Sequence, residues 1–210
     1  APTSLSFVSV SDTATLVPTV KDANNNTIPS PTVTWATSSS SITTVSSAGL
    51  VTAVANGSAT IFATSGSVTA NATATVSQVA TSITVTPTSL SFASIGDTTT
   101  IVATAVDAGG SVISIPTVTW TMSDESVATV SSAGLVTAVA DGSATITATS
   151  GSVNATATAT VSQVATSITV SPTSLSFASI GDTTTTVATV RDANNNAIPS
   201  PTVTWATSAE

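Results

Sequence analysis

Cysteine, histidine and tyrosine are absent from this chain, and only Lys21 and Arg191 carry positive charge. Each absence closes a class of chemistry. Without cysteine there is no disulfide to staple a small domain and no thiolate nucleophile. Without histidine there is no Ser-His-Asp triad, and with cysteine missing too the usual tetrahedral zinc site has no ligands. Carboxylates are left as the only acid–base groups. Ten of them against two cations give a formal charge of −8, so nothing is present to neutralise phosphates or anionic lipid. Nucleic acid and membrane surfaces are therefore excluded as expected partners. No apolar run approaches the ~20 residues that cross a bilayer, so no membrane insertion is expected in this segment.

Charged residues make up 6% of the chain, far below the ~25% usual in soluble domains, and serine and threonine take their place. The surface is one of hydroxyls. What fills the sequence otherwise is repetition: Ser46–Val54 reads SSAGLVTAV, and Ser131–Val139 reads the same, 85 residues on. The same offset superposes Leu5, Leu90 and Leu175; Phe7, Phe92 and Phe177; and Trp35, Trp120 and Trp205. A strict period of this size marks one structural unit copied in tandem. The expected domains are residues 1–79, lacking its first strand; 80–164, complete; and 165–210, the N-terminal half of a third. On this reading the 210 residues are a window on a longer array, because half a sandwich exposes Leu175, Phe177, Val190, Val203 and Trp205.

Alternation with a period of two identifies the strands. Val153, Ala155, Ala157, Ala159 and Val161 share one face, with Asn154, Thr156, Thr158 and Thr160 on the other. A half-buried antiparallel strand is the expected result. The same reasoning gives strands at about 83–85, 90–92, 98–106, 117–122, 127–130, 135–140 and 143–149, separated by Gly, Asp and Ser turns. Short strands at this spacing predict an all-β sandwich. Val118, Trp120 and Met122 share a face, which makes the tryptophan of each copy the expected core centrepiece. Pro18 falls within a predicted strand of the first copy and withholds a ladder N–H, so an edge or bulge is expected there. Both joins between copies read SQVATS, without glycine or proline, which predicts a fixed connection and hence a rod.

The run ATSITVTPTSLSFASIGDTTTIVATAVDAGG, followed by TVTW, SVATVSSAGLVTAVADGSATITATSG and NATATATVS, resembles the bacterial Ig-like domain, group 2. The resemblance implies tandem immunoglobulin-like β-sandwiches of the kind found on bacterial surface proteins, adhesins and phage structural proteins. It also implies that Asn56-Gly57 and Asp141-Gly142, which look like hairpin turns, are corners where the chain passes from one sheet to the other.

Candidate chemical sites are few, and no catalytic, cofactor-binding or metal site is expected. Asp124-Glu125 is a carboxylate pair that becomes Ser39-Ser40 in the first copy, which suits a solvated loop better than a glycosidase. Asp22-Ala-Asn24-Asn-Asn26 and Asp192-Ala-Asn194-Asn-Asn196 begin like a calcium loop. Thr27 then stands in place of glycine and Val33 in place of the bidentate glutamate, and the middle copy reads Asp107-Ala-Gly109-Gly-Ser111, so a side-chain turn is the expected role. Asn25, Asn56, Asn71 and Asn154 open glycosylation sequons, but Asn154 aligns with Thr69 and the sequons fall out of register. Phe62, whose counterpart is Thr147, is the one outward aromatic that hints at a binding face. Outward Thr156, Thr158 and Thr160 form a hydroxyl–methyl row of the kind that can order ice.

The expected function is structural: a non-catalytic, extracellular repeat of a surface fibre or stalk, partnered by other copies of itself or by continuation of the same array. An adhesin module with a glycan or protein ligand is the alternative.

Overall fold

The computed structural model describes residues 2–114 and 116–208. Among them lie eighteen strands: β1 (Ser4–Phe7), β2 (Thr13–Thr15), β3 (Thr34–Thr37), β4 (Thr43–Val45), β5 (Leu50–Ala53), β6 (Gly57–Ser65), β7 (Val68–Val76), β8 (Ser82–Thr86), β9 (Ser89–Phe92), β10 (Thr98–Thr100), β11 (Val102–Val106), β12 (Thr119–Met122), β13 (Ala128–Val130), β14 (Leu135–Ala138), β15 (Gly142–Ser150), β16 (Val153–Val161), β17 (Ser167–Ser171) and β18 (Val187–Arg191). They form two compact units. Unit 1 is Ala1–Thr84 with Thr104–Thr117 and Ser150–Asn154; unit 2 is Val85–Ala103 with Val118–Thr149 and Ala155–Glu210.

Unit 1 holds a sheet of order β1-β7-β6-β3 and a second of order β2-β5-β4. Alternation decides which face each presents. Along β7, Ala72, Ala74 and Val76 are buried, with Thr73 and Thr75 exposed between them. The inner faces meet in a core of Phe7, Leu16, Val51, Ile61 and Ala74. Unit 2 repeats the plan with β12-β15-β16-β9 and β10-β14-β13, and its core is built on Leu90, Phe92, Val136, Ile146 and Ala159. In each, the chain leaves one sheet after the LVTA strand and enters the other at Asn56-Gly57 or Asp141-Gly142. These dipeptides are sheet-to-sheet corners, as the resemblance implied.

Four expectations need correction. The strand anticipated over 98–106 is two strands, because Ile101 breaks the ladder: β10 pairs with β14, and β11 pairs with β8 in a separate sheet. Ile101, 1% exposed, is buried at that crossing. The long strands β7 and β16 are antiparallel only on one side. On the other, β7 runs parallel to β1, with Leu5 opposite Ala74, and β16 runs parallel to β9, with Leu90 opposite Ala159. A parallel pair needs a crossover, and here the rest of the sandwich supplies it, so no local signal marks it. Trp35 packs against the core as expected, but neither it nor Trp120 is fully buried. Trp35 and Trp120 are half-buried because β3 and β12 are edge strands, and the fully buried positions go to Ile61, Val51, Ile146 and Val136. Finally, Val190, expected to meet water, is buried and stands opposite Ile168 in the β17–β18 pair.

The first and third copies carry fewer strands than the middle one. Val17–Lys21, the counterpart of β11, forms no strand, and Pro18 there has no N–H to give. Among the described residues of the third copy, β17 and β18 are the strands that form, and Leu175, Phe177 and Trp205 are 44%, 52% and 57% exposed.

The repeated SSAGL segment is explained by its turn. Ser131 Oγ accepts from the Ala133 and Leu135 amides at 3.3 and 3.1 Å, and the Gly134 amide donates to the Ser131 carbonyl at 2.9 Å. Gly134 has φ +78° and its carbonyl accepts from Ile101 N–H at 2.8 Å. A Cβ there would strike the Ile101 carbonyl oxygen and touch the Trp120 ring at 3.5 Å. Only glycine lets the turn, the neighbouring strand and the indole meet.

Two expectations follow for denaturant melts of the chain. Ile146→Ala costs about 2–5 kcal/mol through the cavity it leaves, and Gly134→Ala costs more than the ~1–2 kcal/mol of a left-handed backbone alone, because the clash adds to it. A Gly134→Ala protein that melts like the parent would show that the turn tolerates a side chain.

Candidate functional site

The loops singled out as possible calcium sites do something else. In unit 1, Asp107 is 2% exposed and its carboxylate is filled by four N–H donors. Oδ1 accepts from the Gly109 and Ser111 amides at 3.0 and 2.9 Å, which closes the loop as a side-chain turn. Oδ2 accepts from the Val10 amide at 2.9 Å and from Gln78 Nε2 at 2.8 Å. One side chain thus ties together a loop of the first copy, the SQVATS join and a loop of the second copy.

Unit 2 contains the same device. Asp192, also 2% exposed, takes the Asn194 and Asn196 amides on Oδ1 at 3.0 and 2.8 Å. On Oδ2 it takes the Ile95 amide and Gln163 Nε2, both at 2.9 Å. The loop that offers Val10 or Ile95 is itself held by an aspartate two residues on: Asp12 accepts from the Ser9 amide and Asp97 from the Ser94 amide, each at 3.0 Å.

The join is bonded along its length. In unit 1, the amides of Ser77 and Val79 donate to Phe7 and Val8 at 2.9 and 3.0 Å, Thr81 donates to Val106 at 2.9 Å, and Gln78 N donates to Asn56 Oδ1 at 2.8 Å. In unit 2 the corresponding donors are Ser162, Val164 and Thr166, with Gln163 N on Asp141 Oδ1 at 2.8 Å. Asn56 and Asp141, read from sequence as corners, thereby also anchor the glutamine that reaches the buried carboxylate.

Burial works against these charges, and the hydrogen bonds overcome it. Burial pushes the Asp192 carboxyl up, but the bonds from Gln163, Asn196 and Ile95 outweigh it and bring the pKa down to about 2. Asp107 is likewise pushed up by burial and pulled below the usual carboxylate value by Gln78, Val10, Ser111 and Gly109. Four N–H donors converge on the two oxygens of each carboxylate. Among the described residues no three histidine, cysteine, aspartate or glutamate side chains gather where a metal ion would need them.

The remaining candidates stay separate. Asp22 makes the same turn, with the Asn24 and Asn26 amides at 2.9 and 2.8 Å, but is exposed. Asp124 accepts from Ser126 Oγ at 2.6 Å and Ser126 N at 2.9 Å, and that hydroxyl bond is the main reason its pKa is lowered. It caps a turn beside Glu125. Phe62 is half-buried between Ala36 and Asn71 on neighbouring strands. Thr156, Thr158 and Thr160 are exposed in a row, and Thr158 and Thr160 stand opposite Ser89 and Ser91 of β9.

Sequence reasoning missed the joint, although a signal existed. The aspartate stands in all three copies while the residues two and four beyond it change, and Gln78 and Gln163 each precede their aspartate by 29 residues. A position that persists while its supposed co-ligands vary is serving something other than a metal.

Comparison with known proteins gives the following. The family model described as Bacterial Ig-like domain (group 2) matches residues 2–76 and 79–161. Among solved structures, the S-layer protein rSbsC(31-844) is similar at 23% identity and TM-score 0.40 over 85% of this chain, which spans 26% of that protein. SbsC domains 4 and 5 align at 27% identity and TM-score 0.37 over 70% of this chain and 80% of that one. InvD of Yersinia pseudotuberculosis aligns at 22% identity and TM-score 0.38 over 94% and 70%. No curated protein matches the chain.

The lowered carboxyls set an expectation for acid. A carboxyl held below its ordinary value contributes stability in full above that value, 3.8, and loses it as pH falls through the folded value, about 2 for Asp192. The NMR shift of the Ile95 amide therefore holds through the range where free carboxylates protonate and moves with a midpoint near pH 2. A midpoint near 3.8 would mean that the bond contributes nothing. Asp192→Asn abolishes the transition.

Proposed function

Since this chain belongs to the group 2 bacterial Ig-like domains, we propose that it is a structural repeat of an extracellular surface fibre or stalk, non-catalytic, whose work is to span distance. The domains are residues 1–79, without the opening strand of the repeat, 80–164, one complete 85-residue period, and 165–210, the N-terminal half of a third. The observation that carries this reading is the buried aspartate joint. The period places it identically at Asp107 and Asp192, and the join between is hydrogen-bonded along its backbone. A protein whose function lay in the individual sandwich would need no such investment in the connection. A protein that must hold its modules in line does.

Composition fits the same role. Hydroxyl-rich outer faces with few charges keep the repeats soluble, and the carboxylates described above are engaged in turns and joints, not gathered in a cleft. Other copies of the repeat are the natural partners.

The test is to alter length. Adding or removing one 85-residue period in the producing cell changes the distance from the envelope to a distal label by roughly 35–45 Å, from strands of about ten residues at ~3.3 Å each plus the join. Electron microscopy of labelled cells reads that step. An unchanged distance, or a label found only inside the cell, would overturn the proposal.

A further inference from the structure

The corners Asn56-Gly57 and Asp141-Gly142 hold the same place in the period and differ by one group, an amide in the first and a carboxylate in the second. Their surroundings match. Asn56 Oδ1 accepts the Gln78 amide and Asp141 Oδ1 the Gln163 amide, each at 2.8 Å. Gly57 has φ +141° and Gly142 has φ +149°. A Cβ on either would come 2.8 Å from a side-chain carbon, of Ile42 in the first copy and of Val127 in the second. Backbone and neighbours together hold the residue after each corner to glycine.

An asparagine can react with the chain that follows it, because the next amide nitrogen can close a five-membered ring on the side-chain carbonyl carbon. Glycine, without a Cβ, leaves that approach open. Asn56 alone among the asparagines precedes a glycine; Asn71 and Asn154 precede alanine. Three features of the fold suit the reaction. Asn56 is exposed, so water reaches it and ammonia can leave. The Gln78 N–H on Oδ1 draws electron density from the carbon under attack and stays to hold the oxygen as it turns negative. Gly57 is the first residue of β6 and pairs with Val76 at the end of β7, so fraying of a ladder end frees its amide while the sandwich stays closed.

We propose that Asn56 is a site of self-modification, which converts the first corner toward the second. Gly57 N attacks Asn56 Cγ and gives up its proton, the Cγ–Nδ2 bond breaks, and ammonia leaves behind a succinimide. Water then opens the ring at either carbonyl. Breaking the bond from Cγ to Gly57 N gives aspartate; breaking the one from the Asn56 main-chain carbonyl carbon to Gly57 N gives isoaspartate. One water is consumed and one ammonia released, with no oxidant or reductant. Aspartate reproduces the arrangement at Asp141 and keeps the Gln78 bond. Isoaspartate routes the chain through Cγ, so the oxygen that held Gln78 becomes a main-chain oxygen, and the glutamine that donates to Asp107 loses its anchor. The corner therefore carries a clock for the joint, independent of the surface role.

Incubating the intact, folded chain for weeks in warm, mildly alkaline buffer tests this, with circular dichroism to check that the strands persist. Peptide mass spectrometry is expected to find the Asn56 peptide heavier by about 1 Da, an amide exchanged for an acid, with fragmentation distinguishing aspartate from isoaspartate. The Asn71 and Asn154 peptides convert at least about tenfold more slowly, since the alanine Cβ hinders the same approach. In Asn56→Asp the Gln78 amide stays as slow to exchange with solvent as in the parent, and in the isoaspartyl fraction it exchanges faster. An Asn56 that remains an amide, aspartate formed without isoaspartate, or Asn71 and Asn154 converting as fast would each overturn the proposal. So would a Gln78 amide that exchanges freely in Asn56→Asp.

Discussion

A carboxylate removed from water is tolerable only when hydrogen bonds replace its hydration, and the chain's order depends on meeting that condition at Asp107 and Asp192. Each receives two amides from its own loop, one amide from the preceding copy and one glutamine side chain from the join. Removing any donor would strand the charge. The loops, the join and the corner residue that holds the glutamine are therefore constrained together, and a segment that could have been a flexible linker is fixed by electrostatics, since its apolar content is small. Serine and threonine do the rest of the polar work along the outer faces, where water satisfies them.

The sandwich itself was legible because its signals are local. Alternation in VNATATATVS placed Ala157 and Ala159 inward and Thr158 and Thr160 outward, and both assignments stand in β16. The corners at Asn56-Gly57 and Asp141-Gly142 were legible through the family resemblance, because periodicity alone reads them as hairpins. What periodicity cannot convey is which strand lies beside which. The parallel partners of β7 and β16 come from the start of the same copy, so the pairing leaves no mark on either strand. Nor does it convey edges: Trp120 has apolar neighbours on its face, but β12 is last in its sheet, and the side chain is only partly buried.

The joint was hidden for another reason. Asp22, Asp107 and Asp192 each begin an ordinary side-chain turn, and that turn is real. Oδ1 satisfies the sequence reading completely, while Oδ2 of Asp107 and Asp192 faces a residue 97 positions earlier. A carboxylate has two oxygens, and a motif describes only the one that acts locally. The calcium-like spacing of Asp192–Asn196 is the pattern of a loop whose asparagines aim at a neighbouring backbone.

The parallel pairing of β1 with β7, and of β9 with β16, fixes the order in which a growing chain can settle. The opening strand of a copy has no sheet partner until the closing strand of that copy has been made, so its sheet is completed late in synthesis. Its loop at Val10 or Ile95 then waits for an aspartate 97 residues downstream. Each joint can thus close only after the accepting loop of the following copy has been made, in the direction of the chain.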